Sequence, residues 1–251
     1  LPRKINFKQM GHYSDSCEQR FRQLYERDFD WMEFNTHLMW RRLGDGERKA
    51  IAIDASYISK AGKKTPYIGK FWSGCAGAMK RGLEILGIGI VDVDMRDCMM
   101  LRAEQTPDKT VLQDKGDDYN LVDWYLDVLR EHRERLLGIT RYAVADAWFS
   151  KARFVNELCN MGFHLISRLR DDAALWYAHD GVRTGKRGRP RIKGEKIDFE
   201  NLDFTRCESL DIEGGKAYVL NAYSTAMKRN IRIVVHYPDA AGRKIYFSTD
   251  L

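Results

Sequence analysis

The chain has 251 residues, 44% hydrophobic and 12% aromatic, enough to bury the core of one large domain or of a core carrying an inserted module. No apolar run approaches the roughly 18 to 20 residues that cross a bilayer, and the Leu1-Pro-Arg-Lys4 start lacks a secretion signal, so the cytosol is the expected compartment and no membrane is expected as a partner. Cys17, Cys75, Cys98, Cys159 and Cys207 form no C-x-x-C pair, which argues against a disulfide framework or thiolate zinc site and reads as buried or inert thiols.

Residues 17–43 carry Phe21, Leu24, Tyr25, Phe34, Leu38 and Trp40 at helical spacing among charged residues, which predicts one or two amphipathic helices packed on the core. Leu43-Gly-Asp-Gly46 breaks that pattern, and residues 50–58 follow as a first strand. A glycine- and lysine-rich stretch from Ser59 to Gly82 holds a turn at Ala61–Lys64. Leu83–Asp94 reads as the second strand, with Asp92 and Asp94 alternating toward solvent, and Met99–Gln105 as the third. Gly87-Ile-Gly89 lacks the third glycine of a dinucleotide fingerprint and belongs to the second strand.

The clearest helix is Leu121–Leu137, with Val122, Tyr125, Leu126, Leu129 and Leu136 on one face and Gly138 at its stop. It leads into a strand ending at Asp146, beyond which Trp148 is expected to pack. Ser150 is then placed to cap a helix over Lys151–Met161, closed by Gly162. Phe163–Leu169 is the next strand. Beyond Asp171, the runs Ala217–Tyr223, Ile231–Tyr237 and Lys244–Thr249 alternate with turn residues and predict a β-rich insertion. The order up to residue 170 predicts an α/β fold whose first and fourth strands lie side by side and parallel.

Two aspartates close apolar runs, Asp54 in Ala50-Ile-Ala-Ile-Asp54 and Asp146 in Tyr142-Ala-Val-Ala-Asp146. Taken singly, each fits a turn or cap. On neighbouring parallel strands the two carboxylates would share one end of the sheet, where paired carboxylates hold divalent metal and serve phosphodiester cleavage. Charge adds a second signal. Arg183–Lys196 contains seven of the 42 basic residues and one of the 36 acidic ones, so this segment holds the whole +6 surplus. Arg183, Lys186, Arg187, Arg189, Arg191 and Lys193 are therefore candidate phosphate contacts, the alternative being an exposed spacer. An Arg-Gly-Arg-Pro core also suits a narrow minor groove. Arg168 and Arg170 leave their strand near the presumed site, where a phosphate contact and a surface ion pair both fit.

Several of these strings together resemble the DDE transposases of bacterial insertion sequences: Ile51-Ala-Ile-Asp54-Ala-Ser-Tyr57, Phe71-Trp-Ser-Gly-Cys-Ala-Gly77, Lys80-Arg-Gly-Leu-Glu-Ile85, Ala103-Glu-Gln-Thr-Pro107, Val144-Ala-Asp146-Ala-Trp-Phe-Ser-Lys151, Leu165-Ile-Ser-Arg-Leu-Arg170 and Lys186-Arg-Gly-Arg-Pro-Arg191. The resemblance implies a ribonuclease-H-like mixed sheet flanked by helices. Residues 1–44 would form an N-terminal helical segment, 45–170 the catalytic core, 171–242 a β-rich insertion with its basic loop at 183–196, and 243–251 a returning core strand. Asp54 and Asp146 would be the first two catalytic and metal-binding carboxylates, serving two Mg²⁺ or Mn²⁺ ions. The implied partners are DNA, as transposon ends and target, and a second copy in a homodimer, in a nucleoid-associated cytoplasmic enzyme.

The third carboxylate of such enzymes is a Glu on a helix following the strand that here reads Tyr246-Phe-Ser-Thr-Asp250. Asp250 itself reads as a turn or cap residue. The expectation is a chain truncated at both ends and poorly active or inactive alone, for want of the third acidic residue. Two other readings stay open, a non-catalytic DNA-binding remnant and an unrelated metal-dependent nuclease that recruits a carboxylate such as Asp92 as third ligand.

Overall fold

Alternating apolar residues build the centre of a twelve-stranded mixed sheet. The computed structural model describes residues 5–44, 46–62, 64–179, 192–239 and 242–251. The N-terminal region forms α1 (Phe7–His12), α2 (Glu18–Tyr25) and α3 (Trp31–Leu43), followed by strands β1 (Lys49–Ser59), β2 (Gly69–Ser73), β3 (Ala78–Asp92) and β4 (Asp97–Gln105). Helices α4 (Lys109–Asp114), α5 (Leu121–Glu131) and α6 (Arg133–Leu137) lead to β5 (Tyr142–Ala145), α7 (Ala152–Asn160) and β6 (His164–Leu169). The remaining strands are β7 (Leu175–Ala178), β8 (Lys193–Lys196), β9 (Glu208–Ile212), β10 (Gly215–Ser224), β11 (Arg229–Pro238) and β12 (Lys244–Ser248).

Strand order is β2-β3-β1-β5-β6-β12-β11-β10-β7-β8, with β4 also on β3 and β9 on β10. β1, β5 and β6 are mutually parallel, joined by helical crossovers, while the other pairings are antiparallel. The first and fourth predicted strands are thus neighbours, as expected. In the β1/β3 register Ile51 faces Ile90 and Ile53 faces Ile88, and all four are buried. They join Tyr125, Leu126 and Leu129 of α5 and Phe154, Val155 and Leu158 of α7 in one apolar core. α5 starts on a capping box, Asn120 accepting from the Val122 N–H while Asp123 accepts from the Asn120 N–H. Gly82 is required where β3 passes β1, because a Cβ there would run into the Ile58 carbonyl and the Tyr57 ring.

Several expectations needed correction. The N-terminal helices exist, but Leu24, Tyr25, Phe34, Leu38 and Trp40 are exposed, and Met32, Met39 and Leu43 are the residues that α3 buries. α3 lies on β4 along that line, with the Asn35 amide donating to the Leu101 carbonyl at 2.9 Å, and the Trp31 and Phe34 rings gather outside with Phe29 instead. The helix predicted at Leu121–Leu137 is divided at His132 into α5 and α6. Ser150 does not cap α7; its hydroxyl pairs with that of Ser167 and donates to the Arg168 carbonyl. β3 ends at Asp92, which is fully buried beside Lys49 rather than facing solvent, and Asp94 falls in the turn, paired with Arg48. Nor are the cysteines uniformly buried: Cys17, Cys75 and Cys98 are exposed, and all five are free. Among the described residues no helix is long and apolar enough to cross a membrane.

Candidate active site

β5 is only four residues long, and its pairing with β1 ends at Ile53 opposite Ala145. Asp54 and Asp146 are the next residue on each strand. β1 continues to Ser59 without β5 alongside, so Asp54 sits in mid-strand rather than at a strand end, and the space left by β5 becomes the mouth of a cleft. The cleft has a volume of about 640 Å³ and is walled by both aspartates, by the β2–β3 hairpin through Lys70, Trp72 and Met79, by Glu84, by the α4 region through Lys109 and Leu112, and by Tyr125 and Trp148.

Local chemistry fixes the second carboxylate firmly. Asp146 caps the turn Ala147–Phe149, accepting from the Trp148 N–H at 2.9 Å, while its own carbonyl accepts from the Ser167 hydroxyl at 2.8 Å. Asp54 makes only a long 3.5 Å contact with the Ser56 hydroxyl. Carboxylate oxygens on both side chains thus remain without a donor among the described residues, and both residues are exposed to the cleft.

Deeper in the wall, Glu84 is buried and accepts from the Tyr125 hydroxyl at 2.6 Å. Burial first, and the Glu84 carboxylate second, push the Tyr125 hydroxyl far above its ordinary range, so it remains a donor. Lys151 stands 3.2 Å over the Trp148 ring; burial lowers the pKa of its ammonium, and Asp146 opposes that shift. Four carboxylates (Asp54, Glu84, Asp117, Asp146) and two ammoniums (Lys70, Lys109) line the cleft, a donor set with excess negative charge that suits a hard dication. Among the described residues, however, no group of three or more His, Cys, Asp or Glu side chains is placed to hold a metal.

The other candidates are distributed as follows. Arg168 and Arg170 border a shallow recess with Ala147, and they face Asp171 at 3.8 Å and Asp172 at 3.3 Å, so both enter surface ion pairs. Lys193 lies on β8 with its ammonium 4.2 Å over the Trp176 ring. Arg183, Lys186, Arg187, Arg189 and Arg191 lie outside the described residues. Asp250 accepts from the Tyr142 hydroxyl at 2.7 Å, at the other end of β5 from Asp146, in keeping with a turn role. Asp92 pairs with Lys49, five residues before Asp54 and about 17 Å away along the strand, so Asp92 is not the third ligand that the nuclease reading would recruit.

Trp148 packs edge-on against Tyr125 and Phe149, as expected, yet remains 40% exposed to the cleft. Sequence reasoning passed over Glu84, Lys70 and Trp72. For Glu84 a signal existed, because it is in phase with the buried Leu86, Ile88 and Ile90, where a charge demands a partner.

A family model described as DDE superfamily endonuclease matches residues 18–212, which include both aspartates and the whole cleft. The chain belongs to the DDE superfamily endonuclease family. No curated protein matches the sequence. Membership and the mixed sheet agree on a ribonuclease-H-like DDE fold. The activity class of this DDE endonuclease is accordingly nuclease- or transposase-type, with DNA the implied substrate and divalent metal the family's general requirement.

Proposed function

We propose that this DDE endonuclease is the catalytic core of an insertion-sequence DNA transposase, cutting DNA at transposon ends and joining the freed 3′ hydroxyl to target DNA, with Asp54 and Asp146 as its catalytic carboxylates. The observation that supports this most directly is their position one step past the last pairing of two parallel strands, opening on one cleft. The unsatisfied carboxylate oxygens and the negative lining fit Mg²⁺ or Mn²⁺, held by Asp54 and Asp146, with two ions in the complete site. Bound there, such ions supply Lewis acidity at the phosphoryl group and generate the attacking hydroxyl nucleophile at neutral pH.

The chain's own residues do the positioning. The Trp148 N–H holds one Asp146 oxygen, and Ser167, itself tied to Ser150, holds the Asp146 backbone. Tyr125 keeps Glu84 from swinging into the cleft by donating to it. Lys70 and Lys109 on the cleft wall offer ammoniums to the phosphates flanking the scissile bond. Arg168, Arg170, Lys193 and the basic segment with Arg183, Lys186, Arg187, Arg189 and Arg191 supply backbone contacts that set affinity without reading sequence.

Two gathered carboxylates hold dications less firmly than three. The expected result is therefore weak Mg²⁺- or Mn²⁺-dependent nicking of supercoiled plasmid by residues 1–251, and low-affinity Mn²⁺ binding by calorimetry. Asp54→Ala and Asp146→Ala should each abolish both signals. Nicking that survives in both variants overturns the assignment of these carboxylates, and robust nicking by the unaltered chain overturns the expectation of low activity.

A further inference from the structure

We infer that α3 is a docking face for a second copy of this chain, and that two α3 helices pair antiparallel about a two-fold axis along a seam of Trp31, Phe34 and Leu38. The inference concerns a surface apart from the cleft and does not rest on the activity proposed for it.

α3 carries two apolar stripes. Met32, Met39 and Leu43 bury the first against the sheet, where the helix lies on β4. Trp31, Phe34 and Leu38 form the second, at the i, i+3, i+7 spacing of a helix–helix seam and about a third of a turn around the helix from the first. They are 55%, 45% and 37% exposed. Phe29, also half-exposed, holds the two rings in place, its centroid 4.6 Å from that of Trp31 and 5.4 Å from that of Phe34. Aromatic side chains fixed in advance lose little entropy on association and are the common anchors of protein interfaces. The contact of α3 with the core is complete without them, so folding does not account for a second apolar stripe left in water.

Charge decides the occupant. Asp30 and Glu33 stand at the start of α3, and Arg41 and Arg42 at its end. An antiparallel helix of the same sequence, with the axis level with Thr36, sets Phe34 of each copy against the partner's Leu38, Trp31 against the partner's Arg41, and Asp30 opposite the partner's Arg42. Asp30 already holds Arg135, and Arg42 holds Asp97, so the last contact joins two existing ion pairs. Arg41 has no partner among the described residues, and in the pair its guanidinium gains the face of an exposed indole. A parallel pair would bring Arg41 against Arg41 instead. Nucleic acid does not suit the stripe, because Asp30 and Glu33 flank its anchors with negative charge.

The test is sedimentation velocity on the full chain without DNA or metal. One helix seam is smaller than a standard interface, so dimer is expected at about 10–100 μM and monomer at about 1 μM. Phe34→Lys and Leu38→Glu should each abolish the dimer, because each sets a charge against an apolar side chain in both halves of the seam. Mixed in equal amounts, the two variants should dimerise again: one half of the mixed seam regains the Phe34–Leu38 contact, and the other sets the two introduced charges, of opposite sign, against each other. Arg41→Ala removes both cation–ring contacts and should weaken the dimer about ten-fold. All three positions are exposed, and circular dichroism checks that each variant is folded. An unaltered chain that stays monomeric throughout that range overturns the inference and leaves the stripe to a different protein. Dimer that persists in both single variants, or a mixture that stays monomeric, overturns it equally.

Discussion

At the scale of single residues, two buried acids do opposite things. Asp92 accepts from the Asp94 and Met95 N–H groups and stands 3.4 Å from the Lys49 ammonium, with both side chains almost wholly shielded from water. Lys49 also donates to the Gly46 carbonyl at 2.5 Å, so the pair ties the segment before β1 to the end of β3. Removing one partner strands a buried charge, and Asp92→Ala should cost about 3 kcal/mol in urea unfolding. The double replacement Lys49→Met with Asp92→Ala leaves no buried charge unpaired and should recover much of that loss, and failure to recover would assign the cost to the turn hydrogen bonds that Asp92 accepts. Glu84 is the other case, a buried acid on the wall of the cleft that Asp54 and Asp146 line. Tyr125→Phe leaves its carboxylate without its donor and should cost about 1–3 kcal/mol by the same measurement. An unchanged midpoint would mean that water replaces the hydroxyl. Glu84 was legible as buried from its phase with Leu86, Ile88 and Ile90, whereas Asp92 was not. Asp92 looked like one tooth of an alternating edge, because the alternation Val91-Asp92-Val93-Asp94 hides that β3 stops at its second residue.

At the scale of elements, apolar patterning marks the long strands and helices and also the short β5, β6 and β12, but not a short strand without such a pattern. β1, β3, α5 and α7 follow from the apolar pattern because each buries a continuous stripe. β2 was missed because Gly69-Lys-Phe-Trp-Ser73 is short and held by pairing with β3 rather than by an apolar alternation of its own. That omission concealed the hairpin wall of the cleft, and with it Lys70 and Trp72. The break between α5 and α6 has a titratable residue at its centre. His132 is 9% exposed and its Nε2 is buried without a hydrogen-bond partner among the described residues. Burial lowers its pKa below the ordinary 6.5, with the Glu131 carboxylate opposing that shift and the Arg102 guanidinium adding to it. The folded chain therefore favours the neutral imidazole, whereas the unfolded chain takes up a proton as pH falls through 6.5. The His132 contribution to stability is complete above that value and declines below it, down to the lowered folded-state pKa. Stability measured from pH 8 to pH 5 should fall on the acid side, and His132→Gln should flatten that part of the curve. An unaltered slope would place the acid sensitivity elsewhere.

At the scale of the whole molecule, the sheet and the charge are distributed differently. β10, β11 and β12 extend the same sheet that β1, β5 and β6 begin, so hydrogen bonding runs unbroken from the hairpin at the cleft to the C-terminal strands. The charge instead is concentrated, since the surplus of +6 lies within Arg183–Lys196 and the rest of the chain is balanced. A balanced body gives DNA little long-range attraction, so under the proposed function most of the electrostatic affinity should come from this one segment. Each phosphate contact contributes a slope of about −0.9 in log affinity against log salt for duplex DNA. Replacing Arg187, Arg189 and Arg191 together by Ala should therefore flatten the salt dependence of duplex binding by up to about 2.7, with the fold unchanged. Affinity should fall equally for unrelated duplex sequences if the arginines meet only phosphates, and most for A·T-rich ones if the Arg-Gly-Arg-Pro core enters a minor groove. An unchanged slope would make Arg183–Lys196 a spacer and shift the DNA contact to the cleft lysines and to Arg168 and Arg170.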